Sequence, residues 1–138
     1  MEEFLLEPFL KRLGLNETNW VRQMPLRMGR AIRYYPDYVI YPDATRGYER
    51  GVFIWEAKFR IPNQKQLNEA LWQARSYAMR LGCQGLGLVS GDGVWLSFAQ
   101  DGFSLDKLQS FTWDELNDPD TFHAVSTMLN KSFLKKSK

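Results

Sequence analysis

Glu56 and Lys58 stand two positions apart in the run Val52-Phe53-Ile54-Trp55-Glu56-Ala57-Lys58, whose other members are all apolar. In an extended strand alternate side chains share a face, so Glu56 and Lys58 project with Val52 and Ile54, while Phe53, Trp55, Ala57 and Phe59 take the other side. An acid and a base therefore interrupt an apolar face, where desolvation often costs more than Coulomb attraction returns. Asp37 opens the preceding β-rich segment and points with Val39 and Tyr41, so it converges on Glu56 if the two strands are neighbours. Two carboxylates brought together repel unless a cation lies between them, and all-oxygen ligation of that kind suits Mg²⁺ or Mn²⁺. A lysine alongside can orient or deprotonate a water, and the cation can polarise a phosphoryl oxygen and acidify bound water. These are the parts needed to hydrolyse a phosphodiester.

The elements that must hold these residues can be read from the pattern. Phe4, Leu5, Phe9 and Leu13 recur at helical spacing before Gly14, predicting a helix over 2–13. The segment 20–26 has weak strand character, and 34–41 is β-rich, with Pro36 moving the strand proper to Asp37. A polar loop over 42–50 leads to a strand over 51–59, which Pro62 ends. Leu67, Ala70, Leu71, Ala74, Ala78 and Leu81 then mark the clearest helix, stopped by Gly82. Segments 85–89 and 94–98 flank Ser90-Gly91-Asp92-Gly93 as a hairpin, Thr112-Trp113-Asp114-Glu115 has the capping-box pattern, and 118–133 reads as a last helix. The order of helix, two or three strands, helix, two strands, helix predicts an α/β fold.

Composition narrows the chemistry. The 138 residues suit one domain over 1–133, with a core over about 4–98, a helical C-terminal extension over 104–133 and a disordered basic tail over 134–138. The lone Cys83 and lone His123 rule out a disulfide and a cysteine- or histidine-rich zinc site within the chain. An acidic N-terminus and the lack of any run of about 20 apolar residues predict a cytoplasmic protein without a membrane span. The net charge of +2 conceals thirteen Lys/Arg against six Asp/Glu between positions 11 and 80, a local +7, with −5 over the rest. The basic segment is suited to a polyanion such as DNA, although a solvated surface of mixed charge would have the same composition.

The residues also carry a resemblance. Pro36-Asp37 followed by Glu56-Ala57-Lys58 resembles the PD-(D/E)XK nuclease motif, and Gln73-Ala74-Arg75-Ser76-Tyr77 resembles the QxxxY element of one large branch. With Pro36-Asp37-Tyr38-Val39-Ile40-Tyr41, Trp55-Glu56-Ala57-Lys58, Leu81-Gly82 and Gly93-Val94-Trp95, the stretch 5–98 is similar to the N-terminal nuclease domain of type I restriction enzyme R subunits. The resemblance implies a restriction-endonuclease-like core, a mixed central β-sheet flanked by helices. It also implies a metal-dependent DNA endonuclease of restriction-modification type. Asp37, Glu56 and the carbonyl of Ala57 would be ligands for Mg²⁺ or Mn²⁺, and Lys58 the water-positioning cation. Gln73 and Tyr77 would support the site or touch nucleic acid, and at i and i+4 they share one helix face. The family often adds a glutamate from the first helix, for which Glu3 and Glu7 are both candidates. The chain reads as a domain of such a subunit or a stand-alone relative. Its partners would then be DNA and, elsewhere, motor, methylation and specificity subunits. A one-site domain would cut both strands only as two copies, such as a homodimer, or in two events.

Plainer roles exist for each residue. Asp37 could simply open a turn after proline, and Glu56 and Lys58 could be a weak ion pair on an edge strand. Tyr77 could be packing, Arg27, Arg30, Arg33 and Arg46 solvated, and the five tryptophans core rather than base-stacking platforms. Turns account for Gly82, Gly85, Gly87, Gly91 and Gly93, since no Gly-Lys-Ser/Thr follows them. A catalytically silent nucleic-acid-binding or assembly module on the same fold is the alternative function.

Overall fold

The computed structural model describes residues 2–27 and 33–134. The elements in chain order are α1 (Glu2–Arg12), β1 (Trp20–Arg22), β2 (Leu26–Arg27), β3 (Arg33–Tyr34), β4 (Tyr38–Ile40), β5 (Phe53–Ala57), α2 (Gln64–Leu81), β6 (Gly85–Ser90), β7 (Gly93–Phe98), β8 (Gln109–Thr112), α3 (Trp113–Asn117) and α4 (Pro119–Leu134). Six strands form one mixed sheet in the order β1-β4-β5-β6-β7-β8, and β2 pairs only with β3. The β5–β6 pair is parallel, with α2 as its crossover, and the other pairs in the large sheet are antiparallel. The fold is α/β, a six-stranded mixed sheet flanked by helices.

Alternation along the strands sorts the core into two layers. On one face Phe53 and Trp55 of β5, with Tyr38 and Ile40 of β4, pack against Phe9 of α1, Leu116 of α3 and Leu129 of α4. On the other face Val39, Ile54, Leu86 and Leu88 pack beneath the apolar stripe of α2. That stripe is the one predicted from spacing, and Asn63 starts the helix by accepting the Gln66 N–H at 2.9 Å. Gly82 ends it in the left-handed conformation at φ 67°.

Several expectations shift. The strand expected over 51–59 is regular only at Phe53–Ala57, and Val52, just before it, packs with the α1 face instead of beside Ile54. Tyr41 likewise joins the α1 face, because its φ of 49° breaks the alternation as β4 ends. The segment expected to extend as a strand over 20–26 divides into β1 and β2 around Gln23, whose φ is 53°. A sixth strand, β8, pairs with β7 where only a helical extension was expected, and α4 takes in Leu134. Residues 135–138 lie outside the described residues.

Gly85 and Gly87 are not turn residues. They lie inside β6 opposite Phe53 and Trp55, and a Cβ on Gly87 would stand 2.3 Å from the Trp55 ring, one on Gly85 2.5 Å from the Phe53 ring. The missing side chains make room for two large rings lying across the neighbouring strand. No helix among the described residues is long and apolar enough to cross a membrane.

Candidate metal and active site

β5 is the third of six strands, so Glu56 cannot be an edge-strand surface residue. It is only 4% exposed. Continuing the β4–β5 register one step past Tyr38↔Trp55 sets Asp37 directly opposite Glu56. The residues of such a cross-strand pair point to the same face, here the face covered by α2. Two reciprocal hydrogen bonds lock them together. The Asp37 N–H donates to Glu56 Oε2 at 2.7 Å, and the Ala57 N–H donates to Asp37 Oδ2 at 2.8 Å. Each carboxylate thus caps the partner strand where the backbone ladder ends. Pro36, buried and lacking an N–H, stops β4 from extending further in the usual way.

Electrostatics record the crowding. Glu56 is pushed up to about 8, first by burial and next by the charge of Asp37, while the Asp37 N–H and the charge of Lys58 pull it back part of the way. A metal-free protein near neutral pH therefore carries a proton on this pair much of the time, and a cation would replace it.

Lys58 follows the end of β5, and its N–H still donates to Val89 O at 2.8 Å, which holds the strand alternation through this position. Its Nζ meets Gln73 Oε1 at 3.2 Å. Tyr77, one helical turn on, is 4% exposed and is raised to about 12, mainly by burial and then by the negative charge of Glu56, with a hydrogen bond to Gln73 acting in the opposite direction. The side chains of Asp37, Glu56, Lys58, Gln73 and Tyr77 therefore gather on one face of the sheet, under one flank of α2. No protein-family model, curated protein or solved structure matches this chain.

The remaining candidates fall elsewhere. Glu7 accepts the Tyr38 hydroxyl at 2.6 Å, and Tyr38 belongs to the opposite face, so Glu7 braces α1 against β4 rather than joining the acids. The side chain of Glu3 and residue Arg30 lie outside what is described, as do the side chains of Arg27 and Arg33; Arg46 is exposed on the 42–50 loop. Trp20 and Trp55 are core, Trp95 and Trp113 are half-buried, and Trp72 stands 64% exposed. His123 is exposed, and Cys83 is buried, with its thiol pushed up to about 12 by desolvation, which leaves it unreactive.

Two features had no clear signal in the sequence. Tyr34 sets its ring 5.9 Å from that of Tyr77, a contact that depends on the excursion between β3 and β4. Arg60 and Gln66 line an open cleft of about 450 Å³ together with Lys58, Glu69 and Gln73. Arg60 could have been noticed as the next alternate position after Lys58, but Gln66 depends on where α2 lies.

The donor set fits a hard divalent cation. Both side chains are carboxylates, turned to one side and fixed by backbone N–H groups, with the Ala57 peptide between them. Mg²⁺ keeps several of its waters and commonly uses one or two carboxylates. Among the described residues no group of three or more His, Cys, Asp and Glu gathers, so a cation here would rest on these two carboxylates, backbone and water.

Proposed function

We propose that this chain is a metal-dependent DNA endonuclease of the PD-(D/E)XK type, with a restriction-endonuclease-like core akin to the nuclease domain of type I restriction R subunits. The observation that carries the reading is the Asp37–Glu56 pair, half-buried and buried respectively, joined across the end of the central β4–β5 ladder, with Lys58 two residues on. In support, a carboxylate as deeply buried as Glu56, with a second one beside it, costs more than the ion pair of an exposed edge strand would return.

Asp37, Glu56 and the Ala57 carbonyl would hold Mg²⁺ or Mn²⁺, which when bound would polarise a phosphoryl oxygen and supply an acidified water. Lys58 then orients a water for attack and offsets charge building on the phosphate. Gln73 fixes Lys58 through its Oε1 and so sets the direction of its ammonium group. Tyr77 closes the wall behind Gln73 and, kept neutral by burial, adds no further negative charge beside the acids. In this role the partners are DNA and, for a restriction assembly, separate motor, methylation and specificity subunits; two copies would be needed to cut both strands at once.

Incubation with supercoiled plasmid and Mg²⁺ or Mn²⁺ tests the reading. Nicking that requires the metal and disappears in Lys58→Ala and Glu56→Ala is expected. DNA bound but never cut, under either metal, would assign the silent binding module instead, and neither binding nor cutting would reject both.

A further inference from the structure

The cleft beside the acids carries charge that the chemistry above leaves unused. It has a volume of about 450 Å³, with Lys58 and Arg60 lining it from the end of the sheet and Gln66, Glu69 and Gln73 from α2. Lys58 and Gln73, joined at 3.2 Å, belong both to the cleft and to the site, so the two are continuous.

Arg60 comes to the cleft for a local reason. The Lys58 N–H donates to Val89 O at 2.8 Å and the Phe59 carbonyl accepts the Gly91 N–H at 3.4 Å, so the chain stays tied to β6 and its turn beyond the end of β5. Alternation then continues, and Arg60 follows Glu56 and Lys58 toward the α2 side. Two residues of extended backbone span about 7 Å, close to the separation of successive phosphates on one nucleic-acid strand.

The charges in the cleft are not spent on one another. Arg60 and Glu69 have opposite signs and line the same space, yet among the described residues no ion pair engages either of them. A guanidinium presents a planar fork of donors that matches the free oxygens of a phosphodiester. Glu69, on the α2 wall, repels an anion, so a strand in the cleft is drawn to the wall that carries Lys58 and Arg60. Resting on the nuclease reading above, we propose that Arg60 binds the phosphate next to the scissile one on the same strand. The substrate is then a chain with at least two successive phosphodiesters, and Arg60 sets which of them faces the acids.

The test measures DNA binding in Ca²⁺ and cleavage in Mg²⁺ for the wild type, Arg60→Ala, Arg60→Lys and Glu69→Gln. Arg60→Ala should raise Kd and KM about tenfold, the loss of one charge-assisted contact, while kcat changes much less. It should also lower the slope of log Kd against log salt by about one. Because Arg60 is exposed, the melting temperature should stay unchanged. Arg60→Lys, which keeps the charge and loses the fork, should recover the salt slope and part of the affinity. Glu69→Gln should bind DNA more tightly than the wild type. In an oligonucleotide whose cleavage position has been mapped, a neutral methylphosphonate at one of the two adjacent phosphates should weaken the wild type about tenfold and leave Arg60→Ala unaffected. An Arg60→Ala variant with unchanged KM and salt slope, or methylphosphonate effects equal in both proteins, overturns the proposal while metal-dependent nicking keeps the nuclease reading intact. If no DNA is bound or cut, the nuclease reading fails first and takes this proposal with it.

Discussion

The two faces of β5 are built from adjacent residues and do opposite things. Phe53 and Trp55 turn to the α1 face, where they are fully buried among aromatic and aliphatic side chains, with Phe9 meeting Trp55 edge-on at 5.9 Å. Ile54 and Glu56 turn to the α2 face, where the apolar layer ends and two carboxylates take its place. The α1 face packs the strand tightly; the α2 face uses that packing to hold two carboxyl groups close together, each bonded to a backbone N–H. Such an acid pair on a strand free to shift would separate, because repulsion and hydration both favour it. The aromatic packing behind the strand is therefore part of what makes the acid pair possible.

The largest test of that contrast removes charge from the α2 face alone. Asp37→Asn keeps an oxygen to accept the Ala57 N–H, so the fold should survive with an unchanged circular dichroism spectrum while plasmid nicking falls by about 10³-fold. Loss of the fold along with the activity would mean that Asp37 is structural.

Next comes pH. A carboxyl raised from the ordinary range to about 8 binds its proton more tightly in the folded state, so its contribution to stability is complete at low pH and is lost as pH climbs through about 8. Metal-free protein should lose on the order of 2 kcal/mol between pH 6 and pH 9 in urea titrations. Glu56→Gln should flatten that slope, and Mg²⁺ should stabilise the wild type more at pH 8 than at pH 6. A flat wild-type profile would show that Glu56 is not held as a buried carboxyl with a raised pKa.

On the α1 face, Gly87→Ala presses a methyl group into the Trp55 ring and should cost about 1–3 kcal/mol of stability, read from the urea midpoint. The residual activity at a temperature where the variant is folded shows how strongly one face depends on the other. The smallest effect is expected from Gln73→Ala, which leaves Lys58 in place but less well directed, lowering the nicking rate about tenfold with substrate binding nearly unchanged.

Most of the element order, and the placing of Glu56 and Lys58 on one face, were legible before any coordinates because they rest on local rules. The helix over 64–81 announced itself by period and terminal glycine, and Glu56 and Lys58 by a charge pattern that no purely apolar strand would carry. What was illegible depended on partners distant in sequence. Gly85 and Gly87 looked like turn residues because nothing nearby reveals that two rings from another strand need their space. β8 was missed because its exposed, half-polar sequence becomes a strand only by pairing with β7. Glu7 was one of two first-helix candidates, with Glu3, that the resemblance implied, and it accepts the hydroxyl of Tyr38, thirty-one residues away.

The sequence by itself determined which side of β5 each residue faces, since a pleated strand must alternate, and it determined that an acid and a lysine would share one of those faces. It also set where α2 begins and ends, through backbone groups that only the capping residues can satisfy. Only the tertiary structure decided that Asp37 would sit opposite Glu56, that β5 would be central, and that Lys58 would meet Gln73. Those outcomes depend on register between strands and on the seating of a helix, and register is settled by the sum of many weak contacts that no short stretch of sequence contains.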